Sequence, residues 1–181
     1  MLKVSGFGAW LGALLLCLGP AHAGQDGGPL DDLVEVGSGE LRWFGMEVYS
    51  ARLLNGGDRF EGLQGPGPLA LEITYRRTIP RDRLVQSTER EWRRLDRRLA
   101  LPERSRVQGW LDEVAAIWPD VGPGDRITAR VEPGGATRFY GNDGPLGRVA
   151  DPEFGPAFLG IWLHPDTRAA ELRSALVGEQ Q

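Results

Sequence analysis

Residues 151–178 constrain the fold of this chain more than any other stretch. They are too apolar for a surface tail. They are also too short, and too interrupted by Pro156, Gly160 and Pro165, to span a membrane. Phe154, Phe158 and the pair Ile161/Trp162 recur at helical spacing, so one face of this segment must be buried. Leu172, Ala175 and Leu176 repeat the pattern beyond His164-Pro165-Asp166. Two short helices closing a hydrophobic core are expected here. Such a block needs a partner surface, and the rest of the chain must supply it.

The first 23 residues read as a targeting segment rather than structure. Lys3 precedes an apolar run from Ala9 to Leu18, and Ala21-His22-Ala23 is a small-x-small cleavage site. A cleaved signal peptide over 1–23 and a periplasmic or secreted protein starting near Gly24 are expected. No stable membrane anchor should remain after cleavage. Cys17, the one cysteine, lies inside the apolar run, so the exported chain would have no disulfide, thiolate zinc site or thiol nucleophile. Its stability must then come from a core, and residues 24–181 suffice for one domain. Lys3 is also the one lysine, which leaves no amine for Schiff-base chemistry after cleavage. The formal net charge of −4 does not favour nucleic acid as a partner.

Strands are expected at Leu33–Val36 and Leu69–Tyr75, and along Leu41–Leu54 as one long strand or a bulged pair with Gly45 at the bulge. Gly37-Ser38-Gly39 reads as a turn. Pro80 opens a helix to about Leu99, with Leu84, Thr88, Glu91/Trp92, Leu95 and Leu99 in one stripe. A second helix covers 103–118 and turns Val107, Trp110/Leu111, Val114 and Ile117/Trp118 inward. Asp125–Glu132, Thr137–Tyr140 and Leu146–Val149 then form a meander. Strands, two helices, more strands and final helices make an α+β protein with an antiparallel sheet, not a βαβ repeat.

Several segments in this order resemble the chalcone isomerase-like family. They are Gly37-Ser38-Gly39 with L-R-W-F-G-M-E-V-Y-S-A-R-L, then L-A-L-E-I-T-Y-R-R-T-I, P-D-V-x-x-G-D, F-Y-G-N-D-G-P-L-G, and the C-terminal I-W-L and L-R-x-A-L-x-G pieces. The resemblance spans nearly all of residues 24–181, read as a single chalcone isomerase-like domain. It implies an open-faced β-sandwich, a curved antiparallel sheet covered by helices with a cleft between them. In plant chalcone isomerases an arginine soon after the Gly-x-Gly turn holds the nascent oxyanion, helped by a threonine, a tyrosine and an asparagine. At the arginine's place stands Leu41, with Arg42 one position later; the threonine slot falls near Phe44. Arg81–Glu91 contains neither tyrosine nor asparagine, and Thr88 and Glu91 are its nearest polar candidates.

Chalcone cyclisation is therefore not expected. Other members of the superfamily bind fatty acids, with an arginine and a tyrosine on the carboxylate. By that resemblance the chain should bind a fatty acid or similar small apolar ligand with a polar end. Arg42 and Tyr49 would hold that end, and Thr88, Glu91, Phe158 and Trp162 would line the cleft. Two alternatives stay open. An isomerase or lyase acting on a chalcone-like or enone substrate would use Arg42 for the oxyanion and Glu91 or Tyr49 as proton donor. A structural or partner-binding protein would have its cleft filled by Trp and Phe side chains. No cofactor or metal is expected. Beyond the leader His164 is the one histidine, and its place before Pro165-Asp166 suits a helix C-terminal cap. Arg76, Arg77, Arg81 and Arg83 read as a solvated, acid-paired surface or as anion holders at a cleft mouth.

Overall fold

The alternation along the strands sorts the apolar residues to one face, and that face dictates the architecture. The structure, a computed structural model, describes residues 28–57 and 59–179. The expected signal peptide over 1–23 lies outside the described residues. Six strands form one antiparallel sheet in sequence order: β1 (Val34–Trp43), β2 (Met46–Asn55), β3 (Leu69–Tyr75), β4 (Arg126–Val131), β5 (Thr137–Gly141) and β6 (Gly144–Val149). Two helices, α1 (Arg81–Leu99) and α2 (Arg104–Ile117), are inserted between β3 and β4; α3 (Phe154–Leu163) and α4 (Ala170–Leu176) follow β6. The α+β architecture with helices over one face of an antiparallel sheet is the one expected.

The inner face carries Ala51 and Leu53 of β2, Leu71 and Ile73 of β3, Ala129 of β4 and Phe139 of β5, all buried beneath the helices. Aromatic side chains fill most of the space between the layers. Trp92, Trp110 and Phe154 meet edge to face with centroids 5.6–5.9 Å apart, and Phe139 and Phe158 continue the cluster at 5.6 Å. The Trp92 indole donates to the Ala157 carbonyl at 3.0 Å, pinning α3 to α1. On the opposite face the sheet is polar. Arg52 donates to the buried Glu72 carboxylate at 2.8 Å, and Asp32 grips Arg130 from the N-terminal segment.

Two local readings are corrected. Gly37-Ser38-Gly39 is not a turn but lies within β1, with a register shift between Glu35 and Gly37. The glycines are there for close approach: a Cβ on Gly37 would sit 2.1 Å from the Ala175 carbonyl oxygen, and one on Gly39 would sit 3.0 Å from Leu172 Cδ1. Leu41–Leu54 is a hairpin, because Phe44-Gly45 forms a two-residue turn with φ of 50° and 76°. The bulge falls instead between Leu41 and Arg42.

Asp151 ties α2 to the β6–α3 junction. Its carboxylate accepts from Arg106 Nε at 2.6 Å and Nη2 at 2.7 Å, from the Trp110 indole at 2.9 Å and from the Glu153 amide at 3.0 Å. The Arg106 guanidinium, helped by the Glu153 amide and the Trp110 indole, holds this carboxyl at about 2. A depressed folded-state pKa stabilises above the unfolded value near 4, and the contribution is lost as pH falls towards 2. Asp151→Asn should cost about 1–2 kcal/mol at neutral pH. Its melting temperature should also fall less steeply than wild type between pH 4 and pH 2. Parallel thermal melts across that range check both; equal slopes would refute the assignment.

Candidate functional site

Five of the six residues expected at a cleft lie on β2, α1 and α3, and three of them, Tyr49, Phe158 and Trp162, pack against one another. The Trp162 indole donates to the Tyr49 hydroxyl at 2.8 Å. The Phe158 ring meets Trp162 edge to face at 5.2 Å, and Tyr49 meets Tyr75 at 6.2 Å. Burial pushes the Tyr49 phenol up to about 12; the Trp162 bond lowers it in part and the nearby Glu91 charge adds to the rise. Tyr75 moves the same way, chiefly by burial. A tyrosine held there stays protonated and is poorly matched to proton transfer near neutrality. Thr88 spends its hydroxyl within α1, donating to the Leu84 carbonyl at 3.1 Å. Glu91 pairs with Arg94 at 2.9 Å and faces Arg168 at 3.7 Å.

Arg42 is the exception. Leu41 pairs with Tyr49 across the sheet and packs against the core, whereas the following bulge pairs Arg42 with Glu47. Side chains alternate faces along a strand, so Arg42 emerges with Glu40 on the outer, polar face. Its side chain is 64% exposed and donates to Glu40 at 2.9 Å. Arg42 cannot share a ligand's polar end with Tyr49. The cation that pairs most closely with Glu91 is Arg94, which sequence reasoning missed. Its Nε binds Glu91, its Nη1 donates to the Asp166 carbonyl at 2.7 Å, and its Nη2 is buried with no partner among the described residues. The one signal for it in the sequence is its spacing of three from Glu91.

The open cavity lies at the other end of the helices. It encloses about 610 Å³ between the β2–β3 loop, the end of α1, the β4–β5 hairpin and the start of α3. Leu63, Leu69, Leu99, Leu101, Val131 and Ala157 give it apolar walls, while Arg98 and His164 stand in a polar lining that also holds Glu61, Glu132 and Glu153. Arg98 lies one helical turn beyond Arg94 and bonds the Asp166 carboxylate at 3.1 Å. His164 is the C-cap of α3, as its sequence position suggests, and its Nδ1 accepts from the Asp166 amide at 3.0 Å. That bond leaves Nε2 with no hydrogen-bond partner among the described residues. A second concavity on the outer face is polar and includes Arg42, Arg52 and Glu72. None of the other five expected site residues lines either space. Among the described residues no group of three or more His, Cys, Asp or Glu is placed to hold a metal ion.

A meandering antiparallel sheet with four helices and a cavity at one end of the helical layer defines an open-faced α+β protein. The chain belongs to the chalcone isomerase-like family, whose profile matches residues 42–178. It is 27% identical to an uncharacterised protein of Haemophilus influenzae over 144 residues, covering 80% of this chain and 67% of that one. Its fold is similar to that of a fatty-acid binding protein from Arabidopsis thaliana, with a TM-score of 0.63. That match covers 84% of this chain and 90% of the other at 12% identity. At that identity the likeness is one of fold.

Proposed function

We propose that this is an exported protein that binds a fatty acid or similar amphiphile in the cavity between the end of α1 and the start of α3, without cyclising chalcones. The observation that carries this reading is the cavity itself. Its volume is that of a small-molecule site, and its apolar walls are flanked by polar groups of both charges. The ligand's tail would lie against Leu63, Leu99, Leu101 and Ala157. Its polar end would meet Arg98 and the free nitrogen of His164, a role that Arg42 cannot fill from the outer face. The solved fatty-acid binding protein of the same fold supports the ligand class. The run Ala9–Leu18 and the Ala21-His22-Ala23 site support export. A cyclase reading finds little support, because Arg42 and Tyr49 lie on opposite faces and Trp162 occupies the Tyr49 hydroxyl.

Native mass spectrometry of the purified protein reads both the bound lipid and the mature N-terminus. A co-purifying amphiphile is expected. Fatty acid added at about a hundredfold excess over Kd should raise Tm by roughly 5 °C or more. Leu101→Trp, which fills the cavity, should abolish that rise. Tyr49→Phe should leave it intact. An empty protein with no fatty-acid-induced shift would overturn the proposal. It would favour instead a structural or partner-binding protein, the reading that the filled space around Tyr49, Phe158 and Trp162 supports. A shift lost in Tyr49→Phe but kept in Leu101→Trp would move the ligand to the Tyr49 group.

A further inference from the structure

The β1–β2 hairpin ends in an apolar tip that the fold itself does not use. Trp43 is 64% exposed, Phe44 88% and Met46 51%, whereas every other described phenylalanine and tryptophan is buried or half-buried. The Trp43 and Phe44 rings meet edge to face at 5.2 Å. Phe44 adopts a left-handed φ of 50° in a turn that favours asparagine or glycine at that position. A bulky side chain there works against both local conformation and solvation. The tip also stands clear of its neighbours. β3 pairs with β2 only over Tyr49–Asn55, so the pairs Arg42–Glu47 and Trp43–Met46 project beyond it by roughly 10 Å.

Arginines surround the base of this projection. Arg42 and Arg76 each hold one carboxylate, Glu40 and Glu47. Arg77 follows where the chain runs beside Val48, and it makes no ion pair with a described residue. These five side chains sum to one positive charge, and Glu171 lines the outer concavity on the Arg42 side. Three apolar side chains on a convex tip are far too small for a stable protein interface, which needs about 800 Å² per partner. They suit a bilayer surface, where tryptophan favours the interfacial layer and cations meet anionic headgroups. Among the described residues no helix is long and apolar enough to cross a membrane.

We propose that the Trp43-Phe44-Gly45-Met46 tip is a reversible membrane-contact element that dips into the interface of an anionic bilayer. This inference rests on the tip alone and does not depend on the cavity's ligand. The test uses the full chain with vesicles of equal parts phosphatidylcholine and phosphatidylglycerol, carrying brominated acyl chains. The emission of wild type minus that of Trp43→Phe isolates Trp43 from the other tryptophans and from the shared leader. That difference spectrum should shift to the blue and be quenched with vesicles, more weakly with phosphatidylcholine alone. Phe44→Asn should weaken its quenching while raising Tm by about 2–4 °C, since asparagine tolerates the left-handed turn. This pairing separates loss of contact from loss of fold. Replacing Arg77 by glutamine should reduce the preference for the anionic vesicles. A Trp43 difference emission unchanged by vesicles would overturn the proposal, as would full quenching retained in Phe44→Asn.

Discussion

Replacing Gly37 by alanine is expected to unseat α4 from the sheet and lower stability by about 3 kcal/mol or more. The added Cβ would lie 2.1 Å from the Ala175 carbonyl oxygen and 2.8 Å from that of Leu176. Both are backbone atoms, so no rotamer change can make room; either the helix or the strand must move. α4 carries Leu172 and Leu176, which are buried and seal the end of the core. A drop in Tm of roughly 6–12 °C should accompany faster amide exchange over Ala170–Leu176. Ser38→Ala, pointing the other way from the same strand, should change little. An unaltered melt for Gly37→Ala would show that α4 does not pack as described.

Trp92→Ala is expected to cost about 3–5 kcal/mol, the range for emptying a large aromatic site. Trp92 is 1% exposed and sits among Trp110 and Phe154, so the void would have rigid rings on several sides. Its loss also strips the Ala157 carbonyl of its indole donor. Trp92→Phe keeps most of the packing and should cost about 1–2 kcal/mol, chiefly the hydrogen bond. Denaturant midpoints for the pair separate the two contributions; equal midpoints would mean that the hydrogen bond carries most of the effect. Because Ala157 lines the cavity, both substitutions bear on the cavity's shape as well as on stability.

These two residues also show how unevenly the fold could be read from the chain. Trp92 was legible, since it falls in the helical stripe with Leu84, Thr88 and Leu95, and a stripe of that spacing must face a core. Gly37 was misread. A glycine pair signals either a turn or a close approach, and nothing within the strand reveals that α4, more than a hundred residues later, will lie against it. Arg42 illustrates the same limit at the site. Its neighbours Trp43, Phe44 and Tyr49 suggested a cleft, yet with Leu41 packed on the inner face the alternation along β1 sends Arg42 to the outer. Arg94 was missed for the opposite reason, lying in a run of helix arginines that looks uniformly solvated.

The amino-acid sequence by itself determined, among the described residues, β3 to β6, the helices, their order and an aromatic core, but not the β1–β2 hairpin, whose turn it placed at Gly37-Ser38-Gly39. These follow from periods of two and about three and a half residues, which are local properties of the chain. Tertiary structure alone decided that Trp162 closes on Tyr49, that Arg42 meets solvent, and that the open cavity lies beside Leu99 and His164. Its walls come from at least five separated segments, and a cavity is what remains after those segments have packed. No local spacing records that remainder.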